Sequence, residues 1–225
     1  MKVTTDGCLF GAWVSEKIKN EKLVINNALD IGTGTGLLSL MFAQKNPFVK
    51  IDAIEVDNDA AIQAEENAAN VSFKNSVRII HDDARSYSFP HKYDLIISNP
   101  PFYENELKGD SPKKNTAHHN EGMLLIELLA IIKNNLKPDG RFCLLLPYKR
   151  HEEIKRLFSK NDLDILQMTF VKQSVNHDYF RILLIGKLSS DLPVKTEFNE
   201  LSIRDERQQY TTEFAELLKD YYLYL

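Results

Sequence analysis

Asn27-Ala28-Leu29-Asp30-Ile31-Gly32-Thr33-Gly34-Thr35-Gly36 runs from a short apolar strand straight into a glycine-rich turn. A helix pattern over Leu37–Lys45 starts on the last glycine, so its first N–H groups point into the turn. Glycines let the backbone turn tightly and approach a ligand where a side chain would collide. Asp30 lies at the end of the strand, with its carboxylate under the loop. Dinucleotide enzymes also carry a glycine loop after a strand, so the loop alone does not decide the ligand. Two details tilt the balance: the spacing is G-x-G-x-G rather than G-x-G-x-x-G, and an acid precedes it. Both suit a ligand carrying an amino-acid ammonium better than a pyrophosphate. Asp30, Gly32, Gly34 and Gly36 are therefore candidate cofactor residues.

Outward from this stretch, apolar runs alternate with amphipathic ones. Strand patterns cover residues 27–31, 50–56, 77–81, 93–98, 141–146, 163–171 and 179–188. The first five are short and rich in Val, Ile and Leu, as expected for strands buried on both faces. Helix patterns cover 37–45, 59–69, 123–136 and 149–160. Asn58 is a candidate cap for the second, and Pro138-Asp139-Gly140 supplies stop chemistry for the third. Alternating β and α elements predict a mostly parallel sheet with helices on both faces and right-handed crossovers. Only residues 172–178 separate the last two strands, which is too short for a helical crossover, so they should form a terminal antiparallel β-hairpin. The expectation is a seven-stranded α/β domain. In the tail, Phe214, Leu217, Leu218 and Tyr221 share helical spacing, with Thr211 or Thr212 as cap. This predicts a docked C-terminal segment over 201–225.

The second strand ends at Glu55, where a carboxylate accepts from both hydroxyls of a ribose; Asp57 is a weaker alternative. After the third strand comes His81-Asp82-Asp83-Ala84. A carboxylate here can accept from an adenine amino group; Asp83 is the choice over Asp82 because Asp83-Ala84 resembles the Gly-Asp-Ala pattern of methyltransferases. The fourth strand ends in Asn99-Pro100-Pro101-Phe102. The Asn99 side-chain oxygen and the Pro100 carbonyl can both accept from one planar NH2 group. Pro101 stiffens the turn, and the Phe102 ring is placed to stack on the plane behind. A cofactor loop and a grip on an amino group together predict methyl transfer to that amino group.

Composition narrows the field. The chain has 225 residues, 43% of them hydrophobic, enough for one well-packed domain. There is no apolar run of membrane-spanning length and no apolar leader at the start, so a cytoplasmic protein is expected. Cys8 and Cys143 read as idle thiols, and no Cys/His cluster has zinc spacing, so no metal is expected. The net charge of −4 argues against a protein that coats nucleic acid nonspecifically. Between Lys133 and Arg156, however, seven Lys or Arg face three acids. That run is either a phosphate-binding patch or the solvated ends of two helices. Residues 103–120, with Lys113, Lys114, His118 and His119, form a polar stretch long enough to cover a substrate.

With these residues assembled, the chain resembles the tRNA(Val) adenine-37 N6-methyltransferase family, and the likeness extends over essentially its whole length. Thr5-Asp6-Gly7-Cys8-Leu9-Phe10-Gly11-Ala12-Trp13 is similar to the Thr-Asp-Gly…Gly-Ala-Trp start of that family. Tyr210-Thr211-Thr212-Glu213-Phe214…Tyr221-Tyr222-Leu223 is similar to its ending. The turn departs from the commoner pattern by having Phe102 in place of Tyr, and Tyr103 next door is the candidate replacement for the lost hydroxyl. The resemblance implies a class I Rossmann-like methyltransferase and S-adenosyl-L-methionine as cofactor. It implies that segment 1–25 packs over that cofactor, making Thr5, Asp6 and Trp13 lining candidates. It also implies the anticodon loop of a tRNA as partner, held by a single domain, with a monomer favoured. Lys149-Arg150-His151 or Lys113-Lys114 would then supply the local basic face.

Two rival readings follow from the same motifs. A protein-glutamine N5-methyltransferase acting on release factors uses the same Asn-Pro-Pro turn on a planar amide. It normally carries an N-terminal helical domain, for which a glycine loop at residue 32 leaves no room. A noncatalytic cofactor-binding subunit of a modification complex would not need Asn99 and Pro100.

Overall fold

A computed structural model of the protein describes residues 3–21, 23–73, 76–101, 123–190 and 192–224. Within them the strands are β1 (Asn27–Ile31), β2 (Lys50–Glu55), β3 (Val77–His81), β4 (Tyr93–Ser98), β5 (Leu136–Pro147), β6 (Leu163–Ser174), β7 (Tyr179–Leu188) and β8 (Glu197–Arg204). They form one sheet in the order β3-β2-β1-β4-β5-β7-β6-β8. β1 to β5 are mutually parallel, and β7 inserts antiparallel between β5 and β6. The expected hairpin is therefore present, and the expected parallel core with it.

The strand count is corrected from seven to eight. β8 lies beside β6 in parallel, with Leu201 opposite Val171 and Ser202 opposite Lys172. Glu197-Phe198-Asn199-Glu200-Leu201-Ser202-Ile203 alternates with a period of two at its C-terminal half, where Leu201 and Ile203 are buried. Its N-terminal half is exposed on both faces, which weakens the strand signal in the sequence.

The helices are α1 (Thr5–Asn20), α2 (Leu37–Lys45), α3 (Asn58–Ala69), α4 (Leu125–Asn135), α5 (His151–Lys160) and α6 (Thr212–Leu218). α1 starts where the Thr4 hydroxyl accepts from the Gly7 N–H at 3.3 Å. The cap of α3 is Asp57, accepting from Ala60 N at 2.9 Å, and Asn58 is the first helical residue. Asn and Asp cap equally well, and the extended backbone at Asp57 (φ −79°, ψ 120°) makes it the residue that precedes the first turn. α4 ends at Asn135, one residue before the expected stop. Tyr93 pairs with Leu136 and Leu95 with Arg141, so residues 137–140 loop out of the β4–β5 ladder. α5 is preceded by one 3₁₀ turn, Tyr148–Arg150. Thr211 caps α6 through the Phe214 N–H at 3.2 Å.

Each face of the sheet has its own core. On one, α1, α2 and α6 bring Phe10, Trp13, Phe42, Phe214 and Leu218 against Leu95, Leu145 and Leu183. On the other, α4 and α5 bring Leu128, Ile132, Ile154 and Phe158 against Ile96, Phe142 and Leu184. Cys8 and Cys143 are buried, unpaired thiols, and burial raises the pKa of both. No helix among the described residues is long and apolar enough to cross a membrane.

Candidate active site

Four parallel strands end side by side, and their C-terminal tips carry the residues singled out above. β2 lies between β3 and β1, and β4 flanks β1 on its other side. Pairing of Glu55 with His81 and of Ile31 with Ser98 brings the loops after β1, β2, β3 and β4 to one edge. The tip of β4 is pinned to β1 by the Ser98 hydroxyl, which donates to the Ile31 carbonyl at 2.7 Å. The cofactor loop and the Asn-Pro-Pro turn thus share one rigid base. Ligands of open parallel sheets bind at this edge.

The glycine loop has the conformation its composition requires. Gly32, Gly34 and Gly36 have φ of 68°, 58° and 84°, a left-handed region that other residues seldom enter. A Cβ added at Gly32 would meet nothing within 4 Å, so the space beside the loop is open. At Gly36 it would touch Ala64 Cβ at 3.5 Å, where α3 packs against the start of α2.

Asp30 is fully buried beneath this loop. Its Oδ2 accepts from Thr33 Oγ1 at 2.6 Å and from Ser39 Oγ at 2.7 Å, while Oδ1 is buried with no partner. Burial pushes its carboxyl up to about 6, against the two hydroxyls that favour the ionised form. A buried carboxylate oxygen with no donor beside an open glycine loop fits a cationic group in a ligand. Glu55, also buried, accepts from Gly34 N at 2.8 Å through Oε2, and from Val56 N and Asp57 N at 3.0 and 2.9 Å through Oε1. It therefore supports the loop as well as facing it. The residues present fit a cofactor with an ammonium at one end and a ribose further along.

After β3, Asp82 N donates to the Glu55 carbonyl at 3.1 Å, bringing the third tip against the second. Asp83 is held by Arg85, which reaches Oδ2 at 2.6 Å and lowers its pKa. Ala84 is buried. At the fourth tip Asn99 is half-buried, Pro100 buried and Pro101 exposed. Pro100 and Pro101 border an apolar niche with Met123, Leu146, Pro147 and Arg150. Phe102, Tyr103 and the polar stretch 103–120, with Lys113, Lys114, His118 and His119, lie outside the described residues.

The start of α1 reaches the same edge. A Cβ built on Gly7 would come within 3.5 Å of Leu37 Cδ2 and 4.0 Å of Asn99 Nδ2. Asp6 pairs with Arg181 on β7 at 2.8 Å. Burial alone would raise the Asp6 carboxyl, but hydrogen bonds from Thr4 and Arg181 hold it below its usual value. Thr5 and Asp6 line a cleft of about 610 Å³ with Arg181, Arg204, His177 and Tyr210. No motif in the sequence pointed to Arg181, Arg204 or His177, and Tyr210 stood there only as part of the family-like ending. Trp13, another lining candidate, is instead packed in the core with Phe10.

The basic run of residues 133–156 resolves largely into structural ion pairs. Lys133, Lys137, Arg141, Arg150 and Lys155 meet Asp162, Asp94, Glu21, Glu153 and Glu152. His151 stacks on Tyr148 and also meets Glu152.

The methyltransferase small domain family matches residues 14–163. A tRNA1(Val) (adenine(37)-N6)-methyltransferase of Proteus mirabilis is 37% identical over 228 residues, covering 100% of this chain and 88% of the relative. The protein of the same name in Parabacteroides distasonis is 35% identical, covering 99% and 91%. Among solved structures, a predicted O-methyltransferase of Agrobacterium tumefaciens superposes with a TM-score of 0.73 at 15% identity, covering 95% of each chain. A glycopeptide N-methyltransferase complexed with S-adenosylmethionine superposes at 0.57 and 10% identity, covering 79% of this chain and 94% of the other. These last two likenesses speak for the fold alone. The match to the small-domain family and the full-length identity to relatives of one name place this chain in the family of the tRNA1(Val) (adenine(37)-N6)-methyltransferases.

Proposed function

We propose that this protein methylates the exocyclic N6 of adenine 37 in tRNA(Val), next to the anticodon. Support comes from the full-length relatives that carry this name and from Asn99-Pro100-Pro101 beside the glycine loop. The observation that carries the chemistry is the Ser98–Ile31 hydrogen bond. It ties the strand bearing Asn99 to the strand bearing the cofactor loop.

S-adenosyl-L-methionine, when bound, supplies a sulfonium methyl as the electrophile. The Asp30 carboxylate, with Oδ1 still open to a donor, would take its ammonium. Glu55 would accept from the ribose hydroxyls, and the Asp82-Asp83-Ala84 turn would border the adenine. Asn99 Oδ1 and the Pro100 carbonyl would accept the two N6 hydrogens of the target base. The amine lone pair is delocalised into the ring, and these two bonds favour pyramidalisation and free it for in-line attack. Positioning and electrostatics then supply most of the acceleration. Phe102 is proposed to stack on the base. The proton is lost to solvent once the nitrogen is alkylated, so no dedicated base is required. A base in an anticodon loop reaches such a pocket more cheaply than one in a duplex.

The test is transfer of labelled methyl from S-adenosylmethionine to total tRNA from a strain lacking this gene, followed by nucleoside mass spectrometry. Labelled N6-methyladenosine is the expected product. Unlabelled tRNA alongside labelled release factor would move the substrate to protein glutamine.

A further inference from the structure

We propose that the cleft between the start of α1 and the ends of β6 and β8 is a second nucleotide subsite. It would hold the RNA nucleotide flanking the target adenine, with its phosphate on Arg204 and His177; the Tyr210 ring, covered by Arg204 on one side and Phe214 on the other, backs the arginine. This rests on the adenine-methylation reading above and says where the rest of the RNA goes.

Location comes first. The cleft opens on the same sheet edge as the Asn-Pro-Pro turn, and the start of α1 is its near wall. Gly7 in that wall abuts Asn99, while Thr5 and Asp6 line the cleft. A nucleotide adjoining one held at Asn99 is therefore within reach. The volume of about 610 Å³ suits a ligand of nucleotide size.

Charge comes next. A chain of net charge −4 needs local cations to hold a polyanion, and most of the 133–156 run is engaged by carboxylates. In the cleft, Asp6 is matched by Arg181. Arg204 meets no carboxylate among the described residues. Its guanidinium lies 4.5 Å over the Tyr210 ring, and Nη1 donates to the Gln208 carbonyl at 2.5 Å. An arginine held over an aromatic ring and tied by one N–H to a carbonyl loses little further freedom on binding, and its planar fork can meet phosphate oxygens in pairs. The neighbouring acid, Asp205, is turned to its own loop and accepts from Arg207 N and Gln209 N. His177 Nδ1 shares a hydrogen bond with Ser174 Oγ at 2.6 Å, which leaves Nε2 for a ligand.

The backbone adds an independent sign. Gln208 has φ of 62°, left-handed for a residue with a side chain. It is this turn that places the Gln208 carbonyl on Arg204. Strain of this kind persists where the surroundings over-determine it, and such places cluster at ligand clamps.

The experiment compares wild type, Arg204→Gln and His177→Gln in steady-state methylation of transcribed tRNA(Val) over a range of salt. Arg204→Gln is expected to raise KM for RNA roughly fivefold or more and to flatten the log–log salt dependence by about one unit, the signature of one lost phosphate contact. His177→Gln, at an exposed position in the β6–β7 turn, should shift KM in the same direction by a smaller factor. Calorimetric affinity for S-adenosylmethionine should stay at the wild-type value in both. Wild-type KM and salt slope in both variants would overturn the subsite while leaving the methylation reading intact. A wild-type enzyme inert on every tRNA would overturn that reading and the subsite with it.

Discussion

Arg181 Nε donates to Asp6 Oδ2 at 2.8 Å, joining residues 175 positions apart. The bond fastens the first turn of α1 to the start of β7, and so fixes the wall that stands between Asn99 and the basic cleft. Both side chains are partly buried, so the pair is screened less than a surface bridge. Arg181→Ala would leave the Asp6 carboxylate without its cation and should cost about 1–3 kcal/mol of stability. A double-mutant cycle with Asp6→Asn in urea denaturation measures the coupling. Additive single effects would remove this ion pair from the account of how α1 is held.

Asn99→Ala is expected to abolish detectable methyl transfer while leaving S-adenosylmethionine affinity near wild type. Among the described residues no hydrogen bond joins the Asn99 side chain to the glycine loop, so cofactor binding is not expected to depend on it. Turnover and calorimetry on the same preparation decide this, and normal turnover would sink the mechanism.

Glu55→Ala should act on two levels. It removes the proposed acceptor for a ribose, and it strips Gly34, Val56 and Asp57 of the carboxylate their N–H groups donate to. Cofactor affinity should fall at least tenfold, and stability by about 1–3 kcal/mol, since buried donors are left unsatisfied. Glu55→Gln should restore part of the stability. Unchanged affinity in the alanine variant would refute the ribose assignment.

Asp30 makes the pH behaviour of the cofactor site predictable. Its carboxyl is pushed up to about 6 in the folded chain, against an ordinary value of 3.8. A raised acid favours the folded state when protonated. The contribution is full below about pH 3.8 and is lost as pH rises through about 6. At pH 7 to 8 the cofactor-free Asp30→Asn variant should therefore unfold at a higher temperature than wild type, and the gap should close below pH 4. A ligand ammonium beside Oδ1 favours the ionised form, so cofactor affinity should weaken as pH falls below about 6. Calorimetry in buffers of different ionisation enthalpy should register proton release on binding near pH 6. No proton release there would mean that the ammonium does not reach Asp30.

The parallel core was legible because its strands are short, doubly buried apolar runs between amphipathic helices. β1, β3, β4 and β7 begin and end where the apolar pattern does. β8 was harder to see, because half of it faces water on both sides and only Leu201 and Ile203 mark a buried face. Asp57 took the cap of α3 from its neighbour because two adjacent polar residues are equivalent in sequence and only the backbone decides which one precedes the first turn.

The same division runs through the site. By itself the sequence determined the glycine loop, the acids at the strand ends and the Asn-Pro-Pro turn, since each is a local device whose geometry is set within a few residues. Glycine at 32, 34 and 36 permits the left-handed backbone this loop uses, where a side chain would be strained. Only the tertiary structure decided that Asp6 meets Arg181, that five cations of the basic run are engaged by carboxylates, and that Arg204, Tyr210 and His177 share a cleft with the start of α1. Those relations join residues far apart along the chain. Coulombic pairing and burial depend on distance in space, which the pairing of β5, β7, β6 and β8 sets and no local pattern encodes.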